Sequence, residues 1–227
     1  MGHTYKYPRP AFTVDCVLFA VIDRKLKVLV IRRGEDPYKG CLALPGGFVQ
    51  EGESAEQAVR REVLEETGFK IKGGIASCGV WSDPCRDPRG WVVSAAFWAL
   101  VAPEKVQGGS DAALAKWVDY AEDRVMAFDH VDILEEAMRM LQQRIRREPI
   151  GFDLLPDTFT LTQLQEVYEA VFFKEVDKRN FRRKVLKLAI LRKEKPLGMR
   201  RGRPAVAYSF HHEKYMRRVE KGIGFEI

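Results

Sequence analysis

The sequence predicts an α+β chain of two modules, a mixed strand-and-helix domain followed by a small, basic, winged helix-turn-helix domain. Three observations carry this. Apolar, β-branched runs separated by glycine and proline turns surround one short acidic helix in the first part of the chain. A Pro149-Ile150-Gly151 break, with Pro156 close behind, divides the chain, which places the modules at 1–146 and 157–227 with a linker at 147–156. Across that break the charge balance reverses. Met1 to Arg146 holds 20 Lys/Arg against 21 Asp/Glu, whereas Arg147 to Ile227 holds 18 against 11, and Lys178 to Lys221 holds 16 against 3. A basic excess confined to one module is the footprint expected for a polyanionic partner.

The 227 residues suffice for a core of ordinary size, and 46% apolar with 31% charged residues describes a globular chain. No run of about 18 apolar residues occurs, and MGHTYKYPRP lacks the apolar centre of a secretory signal, so the cytoplasm is the expected location. Four cysteines without a CxxC pair argue against structural zinc; Cys16 and Cys41 read as buried thiols, and disulfides are not expected.

Phe12 to Ile22 and Leu26 to Ile31 are apolar runs around an Asp23-Arg24-Lys25 turn, a hairpin pattern. A polar loop, Arg33 to Gly40, leads to a short strand, Cys41 to Leu44, and then to Pro45-Gly46-Gly47. There the glycines admit backbone angles closed to other residues and let a phosphate or metal approach the main chain. Ser54 with Gln57 forms a capping box, Ala55, Ala58, Val59, Val63 and Leu64 supply an apolar stripe, and Gly68 closes the helix in the left-handed conformation. On this helix Glu62, Glu65 and Glu66 fall three and four residues apart and crowd one surface. Such crowding calls for a cation, and hard carboxylate oxygens suit Mg²⁺ or Mn²⁺, which complete their shells with waters and phosphate oxygens. The alternative is an ordinary solvated acidic face.

The stretch GFVQEGESAEQAVRREVLEETGF resembles the Nudix box, with Gly47, Glu53, Arg61, Glu62, Val63, Glu65, Glu66, Gly68 and Phe69 at its fixed positions. The resemblance implies the Nudix α/β/α sandwich and metal-assisted attack of water on a nucleoside diphosphate derivative. It implies further that Glu62, Glu65, Glu66 and the Gly46 carbonyl hold the metal, that Gly46 and Gly47 touch the ligand, and that Glu53 and Arg61 brace the loop. The general base is not assigned; Glu104 and Glu122 are the candidates.

Strands follow at Ile75 to Trp81, Val92 to Val101 and Leu114 to Tyr120, the last with Trp117 inward, and then a helix, Phe128 to Ile145, apolar at Val131, Leu134, Met138 and Leu141. The Asp87-Pro88-Arg89-Gly90-Trp91 run and the Asp129-His130 pair resemble ADP-ribose-directed Nudix proteins. Arg89 reads either as a phosphate or ribose contact or as a solvated turn arginine, and His130 as structural rather than catalytic.

Beyond the break, Thr160 and Gln163 cap a helix whose face is Leu161, Leu164, Tyr168 and Val171. A second helix, Lys178 to Leu191, is apolar at Phe181, Val185 and Leu188 and basic at Lys178, Arg179, Arg182, Arg183 and Lys187. A hairpin then carries Arg200, Arg201 and Arg203 at its tip, with Val206, Tyr208 and Phe210 alternating inward. Helix, turn, basic helix and wing is the order of a winged helix on duplex DNA. The competing reading is a small basic domain that packs on its neighbour.

TFTLTQLQEVYEA, NFRRKV, RGRPAVAY, RDPRGW and AFDH make nearly the whole chain similar to the NrtR-type Nudix-related transcriptional regulators. That implies a homodimeric repressor of NAD or related nucleotide or sugar metabolism that leaves operator DNA when ADP-ribose or a similar nucleotide binds. The alternative is a Mg-dependent ADP-ribose pyrophosphatase with a basic accessory domain.

Overall fold

The computed structural model describes residues 6–102, 115–122, 125–197 and 205–221. They fall into two compact units, one drawn from within 1–19, 27–99 and 104–138, the other from within 20–26, 100–103 and 139–227.

The first unit is organised on a seven-stranded sheet. Its main path runs β3 (Leu42–Ala43), β2 (Lys25–Arg32), β1 (Ala11–Ile22), β6 (Val92–Leu100), β5 (Ala76–Trp81), with β4 (Gly46–Phe48) on β1 and β7 (Lys116–Asp119) on β2. β1 is buried continuously from Thr13 to Ala20, because a central strand covered on both faces has no solvent side on which to alternate. Asp23 and Arg24 both have positive φ (52° and 64°), the twist a two-residue hairpin turn requires.

Helix α1 (Ala55–Thr67) has the Ser54–Gln57 capping box and a left-handed Gly68 cap (φ 68°) whose N–H donates to the Leu64 carbonyl. Ala58, Val59, Val63 and Thr67 are its buried positions. Leu64, expected in the stripe, is instead exposed, since 100° per residue carries it past the covered face. α2 (His130–Arg144) buries Ile133, Leu134, Ala137, Met138 and Leu141, so Ile133 takes the place expected for Val131. Cys16 is buried and Cys41 only half-buried.

In the second unit the stretch expected as a linker is structured. Pro149–Leu154 forms a 3₁₀ helix with Phe152 and Leu154 buried, and the Phe152 ring stacks on Phe210 at 4.7 Å. β8 (Phe159–Thr160), β10 (Ala205–Phe210) and β9 (Leu191–Leu197) form an antiparallel sheet in that order. α3 (Leu161–Phe172) has the Thr160–Gln163 capping box and buries Leu161, Leu164, Tyr168 and Val171. α4 (Lys178–Lys187) begins at Asp177, whose carboxylate accepts the Asn180 N–H, and stops short of the expected Leu191. Ala189 turns left-handed (φ 53°) and Leu191 starts pairing with Phe210, so sheet formation wins over helical continuation. In β10 the fully buried side chain is Ala207, while Val206, expected inward, is exposed. A further helix, α5 (His212–Glu220), follows the hairpin. Among the described residues no helix is long and apolar enough to cross a membrane.

Leu164 is fully buried at the centre of α3. Leu164→Ala should lower unfolding stability by about 2–5 kcal/mol in urea titration; a loss under about 1 kcal/mol would contradict the packing of this unit.

Candidate functional site

β4 lies antiparallel to β1, with Thr13 opposite Phe48, Val14 opposite Gly47 and Asp15 opposite Gly46. Neither glycine has positive φ, so the expectation of unusual backbone angles gives way to one of close approach. A Cβ on Gly46 would strike the Val14 carbonyl, and one on Gly47 would meet the Glu62 carboxylate at 2.5–2.7 Å. The missing side chains let α1 press its carboxylates onto the strand, where the Gly46 N–H donates to Glu66 Oε2 at 2.9 Å.

Glu62 and Glu66 line a cleft of about 400 Å³ whose wall also holds Gly46, Gly47, Arg33, Arg86 and Arg89. Glu65 turns away; it is 58% exposed and accepts from Arg61 at 3.0 Å. Arg61 is a hub, donating to Glu53 (2.6 and 3.2 Å), Glu62 (2.8 Å) and the Phe48 carbonyl (3.2 Å) as well. Burial, reinforced by Glu62 and Asp15 and opposed by the Gly46 N–H and the Arg33 charge, pushes the Glu66 carboxyl up to about 8. Two hard carboxyl groups that converge in a buried site, where burial first and the neighbouring anions second disfavour ionisation, fit a divalent cation that would offset both. Among the described residues no three His, Cys, Asp or Glu side chains gather to hold an ion alone, so waters and ligand phosphate oxygens would have to complete its shell. Of the expected base candidates, Glu104 lies outside the described residues and Glu122 does not line the cleft.

Beneath the cleft lies a buried ionic network. Arg86, 4% exposed, gives Nε and Nη2 to Asp129 at 2.8 and 2.6 Å, and Nη2 also reaches Asp15 at 3.5 Å. Ser94 donates to Asp15 at 2.5 Å, and His130 Nε2 faces its other oxygen at 3.3 Å. His130 Nδ1 accepts the Leu44 N–H, which assigns the ring proton to Nε2. Burial opposes ionisation of Asp15, yet His130, Ser94 and Arg86 together hold its carboxyl below the usual range. Leu42 bridges to Met126 and accepts the Ala127 N–H, which delivers Phe128, Asp129 and His130 to this network. Arg89 gives Nε and Nη2 to Asp87 and lies over the rings of Phe48 (5.3 Å) and Phe128 (5.5 Å).

Sequence reasoning missed Asp15, Arg33, Arg86 and Phe128. The signal for Asp15 was present, a lone charge inside an eight-residue buried run. Arg86 opens the RDPRGW stretch that was recognised, but no role was drawn for it.

In the second unit, α4 exposes Lys178, Arg179, Arg183, Lys184 and Lys187 while Phe181 and Val185 face inward. Arg182 is half-buried and donates to Thr162 Oγ1 at 2.9 Å, joining α4 to α3, and Arg183 donates to Asn180 Oδ1 at 2.8 Å. Arg200, Arg201 and Arg203 lie outside the described residues. α5 adds Arg217 and Arg218, which were not foreseen.

Comparison with known proteins places a NUDIX domain at residues 12–141 and an NrtR DNA-binding winged helix domain at residues 151–210. The ADPR responsive transcriptional repressor NtrR of Acinetobacter baylyi is 33% identical over 92% of this chain and 85% of its own length. The ADP-ribose pyrophosphatase of Methanocaldococcus jannaschii is 44% identical over 59% of this chain and 76% of its own. The structure of Shewanella oneidensis NrtR complexed with a 27mer DNA superposes with a TM-score of 0.79, at 33% identity, covering 90% of this chain and 95% of that one.

Replacing Arg86 by Met would leave Asp15 and Asp129 without their cation. The expected cost is about 3 kcal/mol in chemical denaturation; an unchanged midpoint would show that the network does not stabilise the fold.

Proposed function

We propose that this chain, which belongs to the NrtR family of Nudix-domain regulators, is a transcriptional repressor that leaves operator DNA when ADP-ribose or a similar nucleotide fills its Nudix cleft. One observation carries the reading: a single polypeptide holds both a cleft built from arginines and paired carboxylates and a helix, α4, whose outward side chains are cationic. The cleft suits a diphosphate flanked by sugars, with carboxylates on one side and guanidinium groups on the other. The α4 face suits a duplex, and a homodimer would set two such helices on half-sites about 34 Å apart. The regulated genes are those of NAD or related nucleotide or sugar metabolism, and a cytoplasmic location accords with work on operator DNA. Release follows if the ligand and the duplex favour different arrangements of the protein.

Retained hydrolysis is the second reading, favoured because Glu62 and Glu66 both enter the cleft. Mg²⁺ or Mn²⁺ on these carboxylates would polarise a phosphoryl oxygen and help ionise a water. Glu66 is anchored by the Gly46 N–H, Glu62 is oriented by Arg61, and Glu65 serves Arg61 from the rim.

In mobility-shift titrations of the full chain with its upstream DNA, ADP-ribose should weaken the complex. Arg183→Ala should cost roughly 1–3 kcal/mol and relax sequence preference, while Lys187→Ala should weaken all sequences alike and lower the salt slope by about 1. Binding indifferent to both sequence and ligand would sink the repressor reading. For hydrolysis, Glu66→Gln should abolish metal-dependent release of AMP and ribose 5-phosphate from ADP-ribose, and turnover equal to that of the parent chain would remove Glu66 from the metal site.

A further inference from the structure

Arg33, Arg86 and Arg89 all line the nucleotide cleft, and what each already holds sets them apart. Arg86 is engaged by Asp129 and Asp15. Arg89 has Nε and Nη2 on Asp87, a two-point fork that neutralises it. Arg33 differs. Its Nε donates to the Pro37 carbonyl at 2.7 Å, and among the described residues neither Nη nitrogen meets a hydrogen-bond acceptor; the one carboxylate that feels its charge is Glu66 across the cleft, without a direct ion pair. Arg32 next to it is exposed and gives Nη1 to the Gly40 carbonyl, so the two neighbours do different work.

We propose that Arg33 is the residue that reads the pyrophosphate of the bound nucleotide, and that Phe128 is the positioning residue that presents it. This rests on the reading of the cleft as an ADP-ribose site.

Arg33 is fixed from its backbone to the plane of its guanidinium, which leaves the Nη fork set in place and open to a ligand. Its N–H donates to the Cys41 carbonyl at 2.9 Å, its carbonyl accepts the Gly40 N–H at 2.8 Å, and Nε is held by Pro37. The guanidinium lies over the Phe128 ring at 4.8 Å. Phe128 itself has positive φ (53°), an uncommon conformation for an aromatic residue, and its ring is set edge-on against Tyr38 at 4.9 Å. Strained backbone persists where its surroundings enforce it, and here it aims one ring at Arg33 and Arg89 together. A planar cation held this way loses little freedom on binding, and its two terminal nitrogens match two oxygens of a phosphate group. An ammonium cannot reproduce that fork. Arg89 and Arg86, already neutralised, shape the wall instead.

The test is calorimetric titration of the full chain with ADP-ribose, inorganic pyrophosphate and adenosine, with melting curves for each variant. Arg33→Gln should weaken ADP-ribose by about tenfold to a hundredfold, the range for hydrogen bonds to a charged group, and pyrophosphate likewise, with adenosine unaffected. Arg33→Lys should fall between, and Arg89→Gln should lose less than Arg33→Gln. Phe128→Leu should weaken ADP-ribose in the parent chain but add nothing in the Arg33→Gln background, a coupling that general loosening of the fold would not produce. Should Arg33→Gln fail to fold, Arg33→Lys against Arg89→Gln decides. Parent-like affinity in a folded Arg33 variant, or a larger loss at Arg89, overturns the assignment. Pyrophosphate binding without ADP-ribose binding overturns the effector reading and leaves Arg33 to be judged on pyrophosphate; binding of neither overturns both.

Discussion

The first unit depends on one buried charge. Asp15 sits in the middle of β1, the strand on which the sheet is centred, in a run that is otherwise almost wholly apolar. An unpaired carboxylate there would cost several kcal/mol, so the fold must bring partners to it. They come from three places: Ser94 from β6, Arg86 from the loop after β5, and His130 from the start of α2. Arg86 in turn recruits Asp129, and His130 holds the Leu44 N–H just before the glycine turn. Satisfying one anion therefore fixes the floor, the far wall and the entrance strand of the cleft together. Such a network rigidifies only when every member is satisfied, and its geometry specifies one arrangement of loops that share no sequence proximity.

Above this floor the cleft divides its charges by side. The box helix contributes Glu62 and Glu66, pressed against a backbone that glycine alone permits, and the opposite wall contributes guanidinium groups. Binding and turnover draw on the same carboxylates. A cation that bridges Glu62 and Glu66 to a pyrophosphate stabilises the complex whether or not a water is positioned for attack. An intact box is therefore compatible with a sensor: what decides between sensing and hydrolysis is the placement of a base, and of the two residues considered for it Glu122 does not line the cleft while Glu104 lies outside the described residues.

Much of this was legible in the sequence, for local reasons. Capping boxes at Ser54 and Thr160, the Gly68 cap and the Asp23-Arg24 turn are written in residues one to four apart, and each is found where the chemistry required. The glycine pair and the Glu62–Glu66 spacing were equally visible, although the reason for the glycines proved to be contact with Glu62 rather than φ. What escaped was long-range. Asp15 and Arg86 lie 71 residues apart and Asp15 and Ser94 79 apart, so no spacing rule links them. Arg33 reads as loop polarity in the sequence, because its meaning lies in the Pro37 carbonyl and the distant Phe128 ring that together set its guanidinium in the cleft. The early end of α4 reflects competition from β10, a partner the helix pattern cannot show.

The distribution of cations also constrains how a ligand can influence DNA. Both proposed partners are anionic, and the chain offers them separate sets of cations: Arg33, Arg86 and Arg89 line the cleft, and the lysines and arginines of α4 lie in the second unit. Up to residue 146 basic and acidic residues nearly balance, and the excess positive charge belongs to the remainder of the chain. A nucleotide in the cleft therefore cannot release DNA by occupying the same cations. On the proposed reading, release rests on a difference in ligand affinity between two arrangements of the protein, of the order of 1–3 kcal/mol for a typical coupling. That difference has to be generated where the ligand touches groups able to adopt more than one position. The Asp15 network is too closely bonded to supply it, and Arg33 is likewise held by its backbone, its Nε and the Phe128 ring, so these groups provide the fixed frame against which a ligand is read.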